Sequence, residues 1–190
     1  MGRINLVLDI DGCVLNYDWL LEKILKENNI KVIIDKSIWA RFNLPRKVAT
    51  KYIIKSWEDD RFSRLPTIPG FPQFYKEVVA SNKYNITYCS TVSINKGKEN
   101  RIKNLLDLKI YNPIFFAASA KEKGEYVKKL NGKTIFIDDK PENINTVKGV
   151  SPETSCYWFN YLQEMHTPLI IKNSPKLTHW PLEKFNFFLV

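Results

Sequence analysis

The sequence predicts an α/β fold: a parallel sheet with helices on both faces and a small helical insertion after the first strand. Three observations carry this reading. From residue 72 onward, β-branched and aromatic runs alternate with amphipathic stretches, the pattern of strand–helix repeats. The first apolar run, Leu6-Val7-Leu8-Asp9-Ile10, is rich in Leu, Val and Ile without polar alternation, as a strand buried on both faces is. Between that run and Pro66 the signals are mainly helical.

Each element follows from local pattern. Ile4 to Ile10 forms strand one. Trp19, Leu20, Leu21, Ile24 and Leu25 recur at helical spacing within Asn16 to Asn29. Ser37 to Asn43 reads as helical, and Pro45 opens a second helix through Trp57. Glu58 to Arg64 is charged and reads as a loop. Pro66-Thr67-Ile68-Pro69-Gly70-Phe71-Pro72 is the strongest punctuation in the chain. It is followed by a helix to Ser81, strand two at Asn85 to Ser90, and a helix from Lys96 to Leu108. Strand three spans Pro113 to Ala118, a helix spans Lys121 to Leu130, and strand four spans Thr134 to Ile137. Pro141 opens a further helix, and strand five spans Ser155 to Asn160. Tyr161 to Thr178 reads as irregular, and Trp180 to Phe188 as a closing helix. The domain division that follows is a core of residues 1–15 and 66–190, with 16–65 inserted.

The totals narrow the function. The 190 residues suffice for one full core. No apolar run reaches membrane-spanning length, and Asp9 and Asp11 interrupt the only early one, so neither a membrane span nor a secretory signal is expected. Cys13, Cys89 and Cys156 are an odd set in apolar surroundings, as buried thiols of a reducing compartment are. The expectation is a cytoplasmic protein. A net charge of +9 favours anionic partners: phosphate esters, nucleotides or nucleic acid. The lysines are scattered, which also suits a basic surface kept for solubility. His166 and His179 lack metal-ligand spacing.

Parallel sheets bind ligands at the carboxyl ends of their strands. Strand one ends in Asp9 and Asp11, one residue apart and followed by Gly12. Two such carboxylates repel unless a cation neutralises them or one is protonated. Strand two ends in Ser90 and Thr91, Lys121 and Lys123 follow strand three, and Asp138 and Asp139 end strand four. Carboxylates, hydroxyls and an ammonium together suit a phosphate monoester and a hard divalent cation.

In this order, Asp9-x-Asp11-Gly12, Ser90-Thr91, the lysine and Ile137-Asp138-Asp139 resemble the four motifs of the haloacid dehalogenase-like (HAD) phosphohydrolases. The resemblance runs from Ile4 to the Trp180 segment. Within that superfamily the sequence is most similar to the 5'-(deoxy)ribonucleotidases, in Asp9 to Tyr17, in Pro66 to Gly70 and in Tyr88 to Thr91, where Ser and Thr stand in exchanged order.

The resemblance implies a Rossmann-like core with a small helical cap, and a Mg²⁺-dependent phosphomonoesterase acting through an aspartyl-phosphate. It implies metal ligation by Asp9, the backbone carbonyl of Asp11 and Asp138. Asp9 is the implied nucleophile and Asp11 the implied proton carrier. Ser90 and Lys121 are the implied phosphoryl ligands, and Asp139 orients the metal shell or the lysine. Lys121 is preferred to Lys123 for its closer spacing to strand three. A further basic phosphate ligand is Lys96 or Lys98. Thr91, Tyr17 and Phe62 are the remaining substrate-binding candidates. Tyr17 either stacks on a base or belongs to the cap's core, Phe62 in its charged loop suits a ligand or lid role, and the helical stripe of Trp57 favours the core. The expected substrate is a nucleoside 5'-monophosphate, placing the protein in nucleotide metabolism. Alternatives are a phosphatase of nucleic-acid ends or of a small phosphosugar, a phosphomutase, and a non-catalytic binding protein, against which the intact Asp9/Asp11 pair argues. Sequence leaves the oligomeric state open.

Overall fold

The protein is described by a computed structural model over residues 2–31, 44–161, 176–177 and 180. In chain order these residues form β1 (Ile4–Leu8), α1 (Tyr17–Glu27), α2 (Arg46–Glu58), a 3-10 turn (Asp60–Arg64), α3 (Phe71–Ser81) and β2 (Tyr84–Ser90). Then follow α4 (Asn95–Asp107), β3 (Ile114–Phe116), α5 (Ala120–Lys128), β4 (Thr134–Asp138), α6 (Pro141–Val150), β5 (Ser155–Phe159) and β6 (Lys176–Leu177). The strands make one parallel sheet in the order β3-β2-β1-β4-β5-β6.

β1 lies at the centre, between β2 and β4, with Leu8 level with Tyr88 and with Ile137. Its side chains divide between the two faces because strand side chains alternate. Leu6 and Leu8 pack with residues of α1, α2, α3 and α4, whereas Val7 packs with Val127 of α5 and Ile144 and Val147 of α6. This explains why β1 reads as an unbroken apolar run. Cys13, Cys89 and Cys156 are buried free thiols, as expected.

The chain leaves β1 through a tight turn. The N–H groups of Val14 and Leu15 both donate to the Ile10 carbonyl at 2.9 Å, and Gly12 takes φ +92°. Asn16 N–H then donates to Pro66 O and Ile68 N–H to Val14 O, so the exit at 14–16 and the return at 66–68 run side by side. α1, α2 and the 3-10 turn lie between these two points. Trp180 closes the turn from below: its indole N–H donates to Cys13 O at 2.9 Å, and its ring packs on Phe71, Phe74 and Phe159.

Two expectations change. The charged stretch expected to be a loop holds the 3-10 turn Asp60–Arg64, stapled by Asp59, whose carboxylate accepts from the Arg61 N–H. The stretch expected to be irregular contributes β6, whose two residues are too few to show periodicity. The helix expected at 37–43, His166, His179 and all but the first residue of the closing helix lie outside the described residues.

Candidate active site

The turn after β1 brings the first two carboxylates to the end of the central strand. Asp9 is buried, and its N–H donates to Ile137 O at 2.8 Å, which sets it level with Asp138. Asp11 is half-buried, its side chain 17% exposed. Ser90 is the buried last residue of β2, and Thr91 is half-buried beside it. The ends of β1, β2 and β4 named from sequence therefore lie side by side at one end of the sheet.

The lysine at this end is Lys123, not Lys121. Lys121 is exposed on the first turn of α5. Lys123, two residues on, is fully buried, and its ammonium donates to Asp9 Oδ1 and, at 2.7 Å, to Asp138 Oδ2. Ser119 caps α5, its hydroxyl accepting from the Glu122 N–H at 3.3 Å. That start puts residue 123 on the inward face and residue 121 toward solvent.

The two aspartates at the end of β4, Asp138 and the following Asp139, are held differently. Asp138 is saturated by protein donors: Lys123, the Lys140 N–H at 2.9 Å, and the Asn143 amide at 2.9 Å to both oxygens. Asp139 instead lies beside Asp9 and Cys13, the three offering ligand atoms within 4.8 Å of one another. A Cβ on Gly12 would run into the Asp139 carboxylate, so the glycine is what admits Asp139 to this position.

Electrostatics follow from this packing. Burial pushes Asp9 up to about 7; Lys123 draws it down and Asp138 pushes it further up. Burial likewise raises Asp139, opposed by Lys140. Burial alone would depress Lys123, but Asp138 and Asp9 outweigh it and hold the ammonium well above its ordinary value. Lys140 is raised in the same way, burial being outweighed by Asp139 and Asp9. Burial and the nearby carboxylates raise the Cys13 thiol well above its ordinary value.

These residues fit a hard divalent cation. Four carboxylates face three cations here: Asp9, Asp11, Asp138 and Asp139 against Lys123, Lys140 and Arg101. Asp9 and Asp139 provide the paired oxygens that such an ion takes, whereas the Cys13 sulfur is a soft donor suited to other metals.

The aromatic candidates behave differently. Phe62 is fully buried. It meets Tyr17 edge-on at 5.9 Å between centroids and carries the Arg101 guanidinium 3.9 Å above its ring. Its position in a charged stretch misleads, because the 3-10 turn points that one apolar side chain inward. Tyr17 is buried too, and its hydroxyl is 2.7 Å from Ser56 Oγ. Both rings are committed to packing, which leaves neither free to stack on a base. Trp57 is half-buried against the core, next to Gly97 of α4. Lys98 reaches the Phe116 ring, and Lys96 pairs with Asp60 at 3.6 Å.

Sequence reasoning missed two residues. Asn143 grips Asp138 from α6, and Arg101 of α4 donates to Asp11 Oδ1. Arg101 lies on the buried face of α4 with Gly97, Asn100, Asn104 and Leu105, whereas the apolar Ile102 and Leu106 of the same helix are exposed, so apolar periodicity does not point to it.

No protein-family model matches the chain, and no curated protein is similar to it in sequence. Solved structures do match in fold. A Burkholderia xenovorans protein described as a haloacid dehalogenase-like hydrolase is 12% identical over the whole of both chains, with a TM-score of 0.65. A Bacillus subtilis protein described as a HAD-hydrolase, solved with magnesium, is also 12% identical over both whole chains, with a TM-score of 0.60. A Rhodobacter sphaeroides protein solved with xylulose 1,5-bisphosphate is 10% identical over 95% of each chain, with a TM-score of 0.57. The chain therefore has the haloacid dehalogenase-like fold.

Proposed function

We propose that the protein is a Mg²⁺-dependent phosphomonoesterase that works through an aspartyl-phosphate on Asp9. The observation that carries this is the convergence of Asp9, Asp11, Lys123, Asp138 and Asp139 at the ends of adjacent parallel strands, with Ser90 at the end of β2. Asp9, Asp139 and the backbone carbonyl of Asp11 hold the Mg²⁺, which when bound offsets negative charge on the phosphoryl oxygens.

The chain's own residues do the rest. An Asp9 carboxylate oxygen attacks phosphorus, and the bond to the leaving oxygen breaks. Asp11 starts protonated and gives that proton to the leaving oxygen, then takes one from the water that opens the aspartyl-phosphate. Lys123 holds Asp9 in place and, with the Ser90 hydroxyl, faces the oxygens on which charge shifts. Asp138 fixes Lys123, and Asn143 and the Lys140 N–H fix Asp138. Segment 16–65 acts as the cap that excludes bulk water and selects the leaving group.

A nucleoside 5'-monophosphate is the preferred substrate, on the likeness of Asp9 to Tyr17 and of Pro66 to Gly70 to nucleotidase motifs. A small phosphosugar is the second reading, favoured by the commitment of Tyr17 and Phe62 to packing. Phosphorylated oligonucleotide ends, suited to the +9 charge, are the third class to test. Release of inorganic phosphate with Mg²⁺ from these three classes decides among them. No release from any would refute the phosphomonoesterase reading.

A further inference from the structure

We infer that Arg101 is a positioning residue for Asp11, holding one carboxylate oxygen so that the other exchanges the proton with the leaving group; this rests on the phosphomonoesterase reading above. Arg101 lies on α4 and is fully buried, an unusual place for a guanidinium unless its charge is matched. One terminal nitrogen, Nη2, donates to Asp11 Oδ1. The other, Nη1, donates to Asn104 Oδ1 at 3.1 Å. The guanidinium plane rests 3.9 Å from the Phe62 ring. Nε has no hydrogen-bond partner among the described residues and is buried.

Each support is itself held. Asn104 Oδ1 also accepts from the Leu65 N–H at 3.1 Å, and its amide donates to Leu65 O at 3.2 Å. Asn100, one residue before Arg101, donates to the carbonyls of Trp57 and Asp59 at 3.2 and 3.3 Å. The guanidinium thus sits in a seat built by α4 and by the chain segment returning from α2 to the core. A planar fork fixed at three points sets both the distance and the direction of the carboxylate it grips. With Oδ1 engaged, Oδ2 is left for the leaving oxygen.

A purely structural ion pair would look the same at rest, so the test must separate the two. The second-order constant kcat/KM reports events up to transfer of the phosphoryl group to Asp9. An alkyl leaving oxygen needs a proton in that step, whereas p-nitrophenolate leaves without one. Arg101→Met and Arg101→Lys are compared with the unaltered protein, with Mg²⁺, on glycerol phosphate, a nucleoside 5'-monophosphate and p-nitrophenyl phosphate. For Arg101→Met the expected fall is about 30-fold or more on the alkyl esters and less than about 3-fold on the aryl ester. Arg101→Lys keeps the charge but not the fork. It shows the same ester dependence with a smaller fall, and it carries the test if the Met variant does not fold. An equal fall on all esters, or no fall on any, overturns the inference while leaving the phosphomonoesterase reading intact. Unaltered protein that turns over none of them overturns both.

Discussion

The Lys123 ammonium stands between two carboxylates, contacting Asp9 and lying 2.7 Å from Asp138 Oδ2; Lys123 and Asp138 are fully buried, whereas the Asp9 side chain keeps a small opening to solvent. This bridge orders the rest of the site. It engages Asp138 Oδ2, while Asp139 lies beside Asp9.

Lys123→Met should therefore abolish phosphomonoesterase activity, whereas Lys121→Met should leave kcat/KM within about 2-fold, since Lys121 faces solvent. The Lys123 variant leaves two buried carboxylates without their cation and should lose about 3 kcal/mol of stability, read by urea unfolding without metal. A Lys121 variant with the larger effect would reverse the assignment.

Asp138, the last residue of β4, and Asp139 after it should separate by what they bind. Asp139→Asn should weaken Mg²⁺ binding at least about 10-fold by calorimetry. Asp138→Asn removes the acceptor that Lys123, Asn143 and the Lys140 N–H share, so its main effect should be a lower melting temperature. Gly12→Ala should resemble the Asp139 variant, because the added methyl meets the Asp139 carboxylate and φ is +92°.

Phe62 should answer to stability, not to substrate. Phe62→Ala should cost about 3–5 kcal/mol in urea unfolding, from the cavity left against Tyr17 and Arg101. Phe62→Leu, which keeps most of the volume, should leave relative rates across nucleobases unchanged. A changed base ranking would return Phe62 to the substrate site.

Acid should loosen the joint between α1 and the 3-10 turn. Hydrogen bonds from Arg61 hold Asp59 and Glu27 below their ordinary values. Both pKa values are depressed, so their stabilisation is complete above the ordinary carboxylate range and is lost as pH falls through the lowered values. Between about pH 5 and pH 3 the melting temperature should fall less in Arg61→Met than in the unaltered protein. An equal fall in both would show that the joint contributes nothing.

Much of this was legible from sequence because backbone pattern decides it. Alternating strands and helices gave the parallel sheet, and the strand-end rule gave Asp9, Asp11, Ser90, Asp138 and Asp139 before any coordinate. What escaped depends on rotation about a helix axis or on contacts far apart in sequence. Lys121 and Lys123 differ only in which way α5 turns them after its Ser119 cap. Phe62 reads as exposed because its neighbours are charged, yet the 3-10 turn sends it inward. Arg101 meets Asp11 across 90 residues, a pairing no local pattern encodes. β6 has two residues, too few for a period.

Asp9 as nucleophile is the claim on which the account depends. The direct measurement is rapid quenching of the protein during turnover of a phosphate monoester with Mg²⁺, borohydride reduction, and mass spectrometry of the peptide containing residues 4–23. Attack by Asp9 predicts conversion of Asp9 to homoserine, dependent on substrate and lost in Asp9→Asn together with turnover. Reduction at another carboxylate, or full turnover by Asp9→Asn, would contradict it.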